Sequence, residues 1–440
     1  MDKRWTLHVE NFAKIKYADV EIAPLMCFVG DNNSGKSYLM SLLWGILTLG
    51  KEMFPKNVSE SKGYKACENW LAENVNKDVI ITEEVEQLYV NWFNEMLSYN
   101  KKMLLKKLFN FDVEAEKIEI KNYIRNSNAS LKWENQATRY SVVNNLIKFP
   151  IQENYSREEL AKMNAYICWN LLMANIASPL YTPVVRGRRT GEPIYLPASR
   201  TGFMLTYPQL LEKSIQNSFS ASEDDENSTL TLPYVDFLQL IIKFEPSKKT
   251  KHEDIIRFIE KEMTKGSINV KKDFVPVIKY KPSEGTKELP LFMSSSVVSE
   301  LSPILLTLKS NIKFNAIIIE EPEAHLHPEL QQKMAQIIIR LMNSGIPVWI
   351  TTHSETMLQH INNMIKLKKN KRHKELSEIY SYTNADLVDV GDIKMYQFSK
   401  AEKQKTVLEK LECNENGFVV PTFNKALQSI VEEVYAFQED

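Results

Sequence analysis

Glycine is scarce in this chain, at 13 of 440 residues, and two of those 13 fall at positions 30 and 35. Cysteine is scarcer still: Cys27, Cys67, Cys168 and Cys413 are scattered and form no C-x-x-C pair, the pattern of reduced thiols in a cytoplasmic protein rather than of a disulfide framework. Charge of one sign is not in excess. A formal net charge of −1 signals no global pull toward nucleic acid or a membrane surface, although local patches can still act. The N-terminal stretch MDKRWTLHVENFAKIKY has no apolar signal-peptide core. The uncharged run at 39–49 is too short to span a bilayer and reads as a buried helix. No internal repeat and no sustained heptad tract is visible, which argues against a long coiled-coil arm.

The two early glycines belong to FVGDNNSGKSYLM, where Gly30, four residues, Gly35, Lys36 and Ser37 match the phosphate-loop spacing G-x-x-x-x-G-K-[ST]. The residues before it, IAPLMCFV, read as a buried strand, and YLMSLLWGILTL after it as an apolar helix, which is the context such a loop needs. In a loop of this kind the backbone of Gly30, Asn32, Asn33, Ser34 and Gly35 turns its amides toward phosphate oxygens. Lys36 brings a cation to the β and γ phosphates, and Ser37 a hydroxyl to Mg²⁺. A phosphate loop alone does not name a reaction.

A second motif lies far downstream. IKFNAIIIEEPEAHLHP, 312–328, carries an unbroken apolar strand that ends in Glu320 and Glu321. Functional groups collect at such strand ends in α/β sheets. Glu320 suits the metal and Glu321 the attacking water, because neighbouring residues on a strand point to different sides. IPVWITTHS, 346–354, places His353 at the end of another apolar strand, where it can meet the γ-phosphate or the water; the plainer reading is a half-buried structural histidine. His325 and His327 are assigned to the loop after the acidic strand rather than to a zinc site, since no Cys partner is near. Arg200 in PASRTGF has two readings, an approach to phosphate or to the insertion, and a structural salt bridge.

GDNNSGKS, SSSVVSEL, IIIEEPEAHLHP and TTHS occur in this order, and together they resemble ABC-type ATPases of the SMC/RecF class, most closely the OLD-like branch of bacterial AAA-family ATPases. HVENFAKIKYADVEIAPLMCFVGDNNSGKS and IYLPASRTGF resemble that branch too, so the likeness covers roughly 1–50 and 190–365. The resemblance makes Gly30 to Ser37 the Walker A loop, Glu320 and Glu321 the Walker B acids with Glu321 catalytic, Ala324 to His327 the D-loop and His353 the switch histidine. It implies ATP with Mg²⁺ as the cofactors, and it places Ser295 and Ser296 in a signature region that meets ATP held by an opposite subunit. Val297 and Ser299 stand where many members have Gly and Gln, which implies slow or partner-dependent hydrolysis. Phe12 and Lys14 are alternatives for the adenine contact. NADLVDVGDI offers no clean D-x-D, so the Toprim nuclease of full-length OLD proteins is not expected.

The expected fold is α/β: an ABC-type P-loop ATPase core in two parts, 1–50 and 191–365, with a largely helical insertion at 51–190 and a small α+β tail at 366–440. Within the tail, EIYSYT and IKMYQF read as strands and TFNKALQSIVEEVYAF as a helix. In the insertion, Trp70, Trp92, Phe93 and Trp169 serve either a core of its own or a partner interface. Basic clusters at 101–107, 184–189 and 366–374 make duplex DNA a candidate ligand. The function implied is a cytoplasmic ATPase that forms a homodimer or higher oligomer on ATP. It would control a separately encoded nuclease or toxin in phage defence. A DNA repair or chromosome-maintenance ATPase and a non-hydrolysing nucleotide-gated scaffold are the alternatives.

Overall fold

The computed structural model describes residues 4–49, 60–124, 129–135, 139–143, 145–173, 191–198, 200–219, 230–247, 249–271, 276–285, 287–415 and 417–438. Its centre is a nine-stranded sheet. Strands β1 (Arg4–Phe12), β2 (Ile15–Glu21) and β3 (Leu25–Gly30) open the chain. β5 (Lys117–Ile124), β9 (Glu192–Leu196), β13 (Phe314–Glu320), β14 (Val348–Thr352), β15 (Ile393–Lys400) and β16 (Thr406–Leu411) complete it. The spatial order is β5-β1-β2-β16-β15-β3-β14-β13-β9. From β15 to β9 every neighbour is parallel, whereas β5, β1 and β2 are antiparallel.

This order departs from the linear reading in two ways. The stretch 15–29, apolar enough to read as one continuous strand, forms two: the chain breaks after β2 and re-enters the sheet at Leu25, so β16 and β15 stand between β2 and β3. The 366–440 tail thus threads two strands into the sheet beside the phosphate-loop strand rather than standing apart from it. IKMYQF is strand, but EIYSYT is not. His373–Ile379 is a helix, with Ser381 in the left-handed region (φ 57) and the Tyr382 amide donating to the Ser377 carbonyl at 2.8 Å. The alternation of that segment imitates a strand, but local hydrogen bonds satisfy its backbone before any sheet edge is offered.

The parallel strands are buried on both faces, as their unbroken apolar sequences require. Period-two geometry sends Met26, Phe28, Ile318 and Trp349 to one face, and Leu25, Cys27, Val29, Ile317, Ile319, Val348 and Ile350 to the other. The second face is covered by helices Glu253–Glu262, Ser296–Lys309, Pro328–Asn343 and Glu355–Lys369. The first is covered by the phosphate-loop helix Lys36–Leu49 and by the insertion.

The insertion is largely helical, as expected, and carries a four-stranded sheet in the order β4-β6-β8-β7 (Val79–Ile81, Ala129–Glu134, Leu146–Pro150, Ser141–Val143). Its helices have legible starts. Ser61 and Thr82 cap Lys62–Glu73 and Glu83–Phe109, and Ser156 with Glu159 forms a capping box on Arg157–Cys168. Glu83, Glu84 and Glu86 in the first turn of the 83–109 helix, with Lys106 and Lys107 in its last, oppose the helix dipole. The insertion has no core of its own: Trp92, Phe93 and Leu108 belong to the same cluster as Leu7, Phe12 and Leu43. β5 also extends the main sheet by pairing with β1. Among the described residues no helix is long and apolar enough to cross a membrane.

Candidate functional site

The phosphate loop leaves β3 at Gly30 and enters its helix at Lys36. Both glycines sit at positive φ, +149° and +105°. A Cβ on Gly30 would lie 2.8 Å from Cβ of Phe398, and one on Gly35 2.9 Å from Cγ1 of Ile15. The turn therefore needs glycine for conformation and for space. Asn33 also adopts positive φ, and Asn32 and Asn33 are exposed while Ser34 is buried. The Lys36 ammonium folds back over the loop and donates to the carbonyls of Gly30 (3.0 Å) and Asp31 (2.8 Å). Burial pushes it below its ordinary value, while the charges of Glu321, Asp31, Glu320 and Glu323 pull the other way. Two tail residues hold the loop from behind: Phe398 lies against Gly30, and Thr406 Oγ1 donates to the Ser34 carbonyl at 2.7 Å.

Glu320 ends β13 at 1% exposure. Burial raises its carboxyl, and the hydroxyls of Ser37 and Tyr195 and the Ala198 amide oppose that rise. The Ala198 amide donates to Oε2 at 3.3 Å, but Oε1 is buried without a hydrogen-bond partner. Burial first, and the Glu320 charge second, push the phenols of Tyr195 and Tyr234 up. Glu321 follows with φ 44, a left-handed backbone uncommon for a residue with a side chain. Its amide is tied to the Thr351 carbonyl at 2.9 Å, and its Oε1 stands 3.7 Å from Nε2 of His353, which is itself buried and unpartnered. Burial and then Lys36 lower the His353 imidazole, which is therefore neutral at pH 7.

Sequence reasoning missed Glu323. Its Oε1 accepts from Thr352 Oγ1 at 2.8 Å and from the His353 amide, so it fixes the turn that presents His353. The second carboxylate oxygen has no partner, and burial raises the group. The signal available was its place in EEPEAHLHP, but a third acid in an exposed-looking turn gave no hint of burial.

Arg200 takes the structural one of its two readings. It is 0% exposed and pairs with Glu300, also buried, on the helix Ser296–Lys309. It donates further to the carbonyls of Pro197, Glu320 and Glu321. One guanidinium thus joins the end of the acidic strand to the helix that starts at the signature serines. Thr201 adds a 2.7 Å bond to the other Glu300 oxygen.

Other candidates separate from this cluster. Ser295 and Ser296 are exposed at the start of their helix, and no described hydrogen bond joins them to the phosphate loop. Val297 is half-buried, and Ser299 is buried at 2%. Phe12 is a core residue packed on Tyr38 and Phe109, so of the two adenine candidates only Lys14 is exposed; Tyr38, 40% exposed, is a further aromatic beside the loop. His325 and His327 are exposed in the turn after β13. In the 101–107 cluster Leu104 and Leu105 face the core. In the 366–374 cluster Lys368 pairs with Asp389 and Arg372 with Glu375. The 184–189 cluster lies outside the described residues.

The residues fit a magnesium nucleotide. Glu320 Oε1 is a carboxyl oxygen without a hydrogen-bond partner, on a side chain that the Ser37 hydroxyl also reaches, and among the described residues no group of three His, Cys, Asp or Glu offers a protein-only metal cage. One carboxylate, one hydroxyl and substrate phosphates make the donor set that suits Mg²⁺.

A nine-stranded α/β sheet with a phosphate loop at one strand end and paired acids at another defines a P-loop ATPase domain. The chain belongs to the AAA ATPase domain family, which matches residues 5–170 and 199–358. Solved structures similar to it include an Smc head bound to the C-winged helix domain of ScpA (12% identity, 94% of this chain and 98% of that one, TM-score 0.38). Another is an Smc head with an extended coiled coil bound to the C-terminal domain of ScpA from Pyrococcus furiosus (12%, 99% and 100%, TM-score 0.34). A third is the SMC head domain from Thermotoga maritima (10%, 93% and 99%, TM-score 0.33). No curated protein matches the chain.

Proposed function

We propose that the protein is an Mg²⁺-dependent ATPase that dimerises on ATP and passes its nucleotide state to a separate partner. The observation that supports this best is the buried Glu320 carboxylate with one oxygen unpaired, set among Ser37, Tyr195 and the Lys36 loop. In this reading the amides of Gly30, Asn32, Asn33, Ser34 and Gly35 cradle phosphate, and Lys36 exchanges its carbonyl partners for β and γ oxygens. Ser37 and Glu320 hold Mg²⁺, which neutralises charge on those oxygens. Glu321 accepts a proton from the water that attacks the γ-phosphorus in line, and ADP leaves with the β–γ bridging oxygen. Neutral His353 donates to the γ-phosphate. Exposed Ser295 and Ser296 meet ATP held by a second copy, and the altered signature slows turnover. The ATP-handling part is 1–50 with 191–365, the insertion is 51–190 and the extension 366–440.

Two outputs follow from such a cycle. DNA repair or chromosome maintenance agrees better with the family and fold comparisons, whose named neighbours are SMC heads. Control of a nuclease or toxin effector in phage defence is supported by the motif resemblance to the OLD-like branch. The test common to both is turnover and solution mass with MgATP. Glu321→Gln should cut phosphate release by about 10² to 10⁴ and retain an ATP-bound dimer, whereas Lys36→Ala should lose ATP binding. Undiminished turnover in Glu321→Gln would remove the assigned base. ATP binding without phosphate release by the unaltered chain, with or without DNA, would favour the nucleotide-gated scaffold.

A further inference from the structure

A cavity of about 600 Å³, lined by polar and apolar groups, lies between the helices Pro328–Asn343 and Glu355–Lys369 and is bounded on one side by residues 370–382. None of its lining residues belongs to the phosphate loop, the strand-end acids or the signature turn. Its volume falls in the range of small-molecule sites. Lys333 and Lys366 line it with no carboxylate among the lining residues, and neither lysine has an ion-pair partner among the described residues. Lys333 rests 5.7 Å from the centroid of the Phe258 ring, which does not neutralise it. Gln336, 4% exposed, forms part of the wall and leaves its Oε1 without a partner. The opposite wall is aromatic. Tyr382 stacks on His360 at 5.7 Å and 28°, and Tyr380 beside it is 67% exposed. Two cations without an ion-pair partner, an unsatisfied amide oxygen and the exposed Tyr380 ring beside the Tyr382–His360 stack, whose hydroxyl and Nε2 are 3.2 Å apart, suit an anion attached to a ring that also hydrogen-bonds.

We propose that this cavity is a second ligand site, for a phosphorylated heteroaromatic of nucleoside monophosphate size, with phosphate on Lys333 and Lys366 and base against Tyr380, Tyr382 and Gln336. The site has a mechanical route to the strand-end acids. The 328–343 helix follows the turn after Glu321, and the 355–369 helix follows His353. The first turns of both are already tied: Ser354 Oγ donates to Gln331 Oε1 at 2.6 Å, and Gln331 Nε2 donates to the Leu326 carbonyl at 2.9 Å. Gln332, the next residue, lines the cavity. A ligand bridging Lys333 and Lys366 fixes the spacing of the two helices and so sets the approach of His353 to Glu321. This regulatory half rests on the ATPase reading; the binding half does not.

The experiment titrates AMP into full-length Lys36→Ala protein, whose phosphate loop is disabled, and reads heat. The expected result is one saturable site per chain, weakened about tenfold or more in Lys36→Ala chains that also carry Lys333→Ala or Lys366→Ala, with inorganic phosphate competing only weakly. No AMP binding, or binding indifferent to both lysines, overturns the site. Salt-sensitive binding of a random duplex without AMP binding overturns it in favour of a nucleic-acid surface. In the otherwise unaltered chain, AMP should change ATP turnover, and Lys366→Ala should abolish the change. Binding without that change overturns the coupling and leaves the site standing.

Discussion

At the antiparallel end of the sheet, the insertion spends its large side chains on one another. Tyr64 meets Trp92 edge-on at 5.3 Å, Trp133 lies 5.4 Å from Phe149, and Tyr140 sits between Phe149 and Tyr166. At the parallel end, the same depth of burial goes to Arg200, Glu300 and Glu320, with the half-buried Glu323 and the buried Nε2 of His353 beside them. Both ends leave buried polar atoms unpaired. In the insertion these are the neutral Trp92 Nε1, Trp133 Nε1 and Asn164 Nδ2, scattered among rings. At the strand ends they are Glu320 Oε1, Glu323 Oε2, Arg200 Nε and His353 Nε2, all ionisable and in one cluster. Polar atoms without a hydrogen-bond partner are costly to bury, so a cluster of them on ionisable side chains marks a place held ready for a ligand rather than for packing. The contrast also moves the partner surface. Trp92 and Phe93 are core at 3% and 1%, and Trp70 and Trp169 pack against that core. The large apolar side chains that the described insertion exposes are others, Tyr99 and Phe111 at 86% and 72% foremost, with Ile80, Ile124 and Met103 after them.

The largest effect should come from the charged end. Arg200→Ala leaves Glu300 buried and unpaired and frees three strand-end carbonyls, so denaturant unfolding should show a loss of about 3–5 kcal/mol. Wild-type stability in that variant would mean that the guanidinium is not the joint between the acidic strand and the signature helix. At the aromatic end, Trp92→Ala should cost about 3–5 kcal/mol, while Tyr99→Ala should stay within about 0.5 kcal/mol. Because Trp92 shares a cluster with Leu7, Phe12 and Leu43, melting should remain a single transition that takes ATP binding with it. Two separate transitions would break the comparison by making the insertion an independent module.

The smallest effect is a pH dependence. Burial and Lys36 hold His353 below its ordinary 6.5, so below that pH the unfolded chain gains a proton that the folded chain refuses. Stability from this group is present above 6.5 and is lost as pH falls toward the lowered folded value. His353→Asn should flatten that part of the stability profile. An unchanged slope in the variant would assign the pH dependence to other groups.

The phosphate loop and the acidic strand were legible in the sequence because each is local. Gly30 and Gly35 are set by backbone conformation over six residues, and the apolar run ending in Glu320 and Glu321 is set by strand burial. The capped helices of the insertion were legible for the same reason. What could not be read was everything that depends on which strands become neighbours. The sequence by itself determined a P-loop α/β core, with a glycine turn from Gly30 to Gly35 and an apolar strand that ends in Glu320. Only the tertiary structure decided that Phe398 and Thr406 of the tail support the loop, that Glu323 turns inward to hold His353, that Arg200 reaches Glu300 a hundred residues away, and that the insertion shares its core with β1. The physical reason is that these contacts satisfy buried charge and close-packed volume across the sheet, and neither demand leaves a periodic trace in the chain.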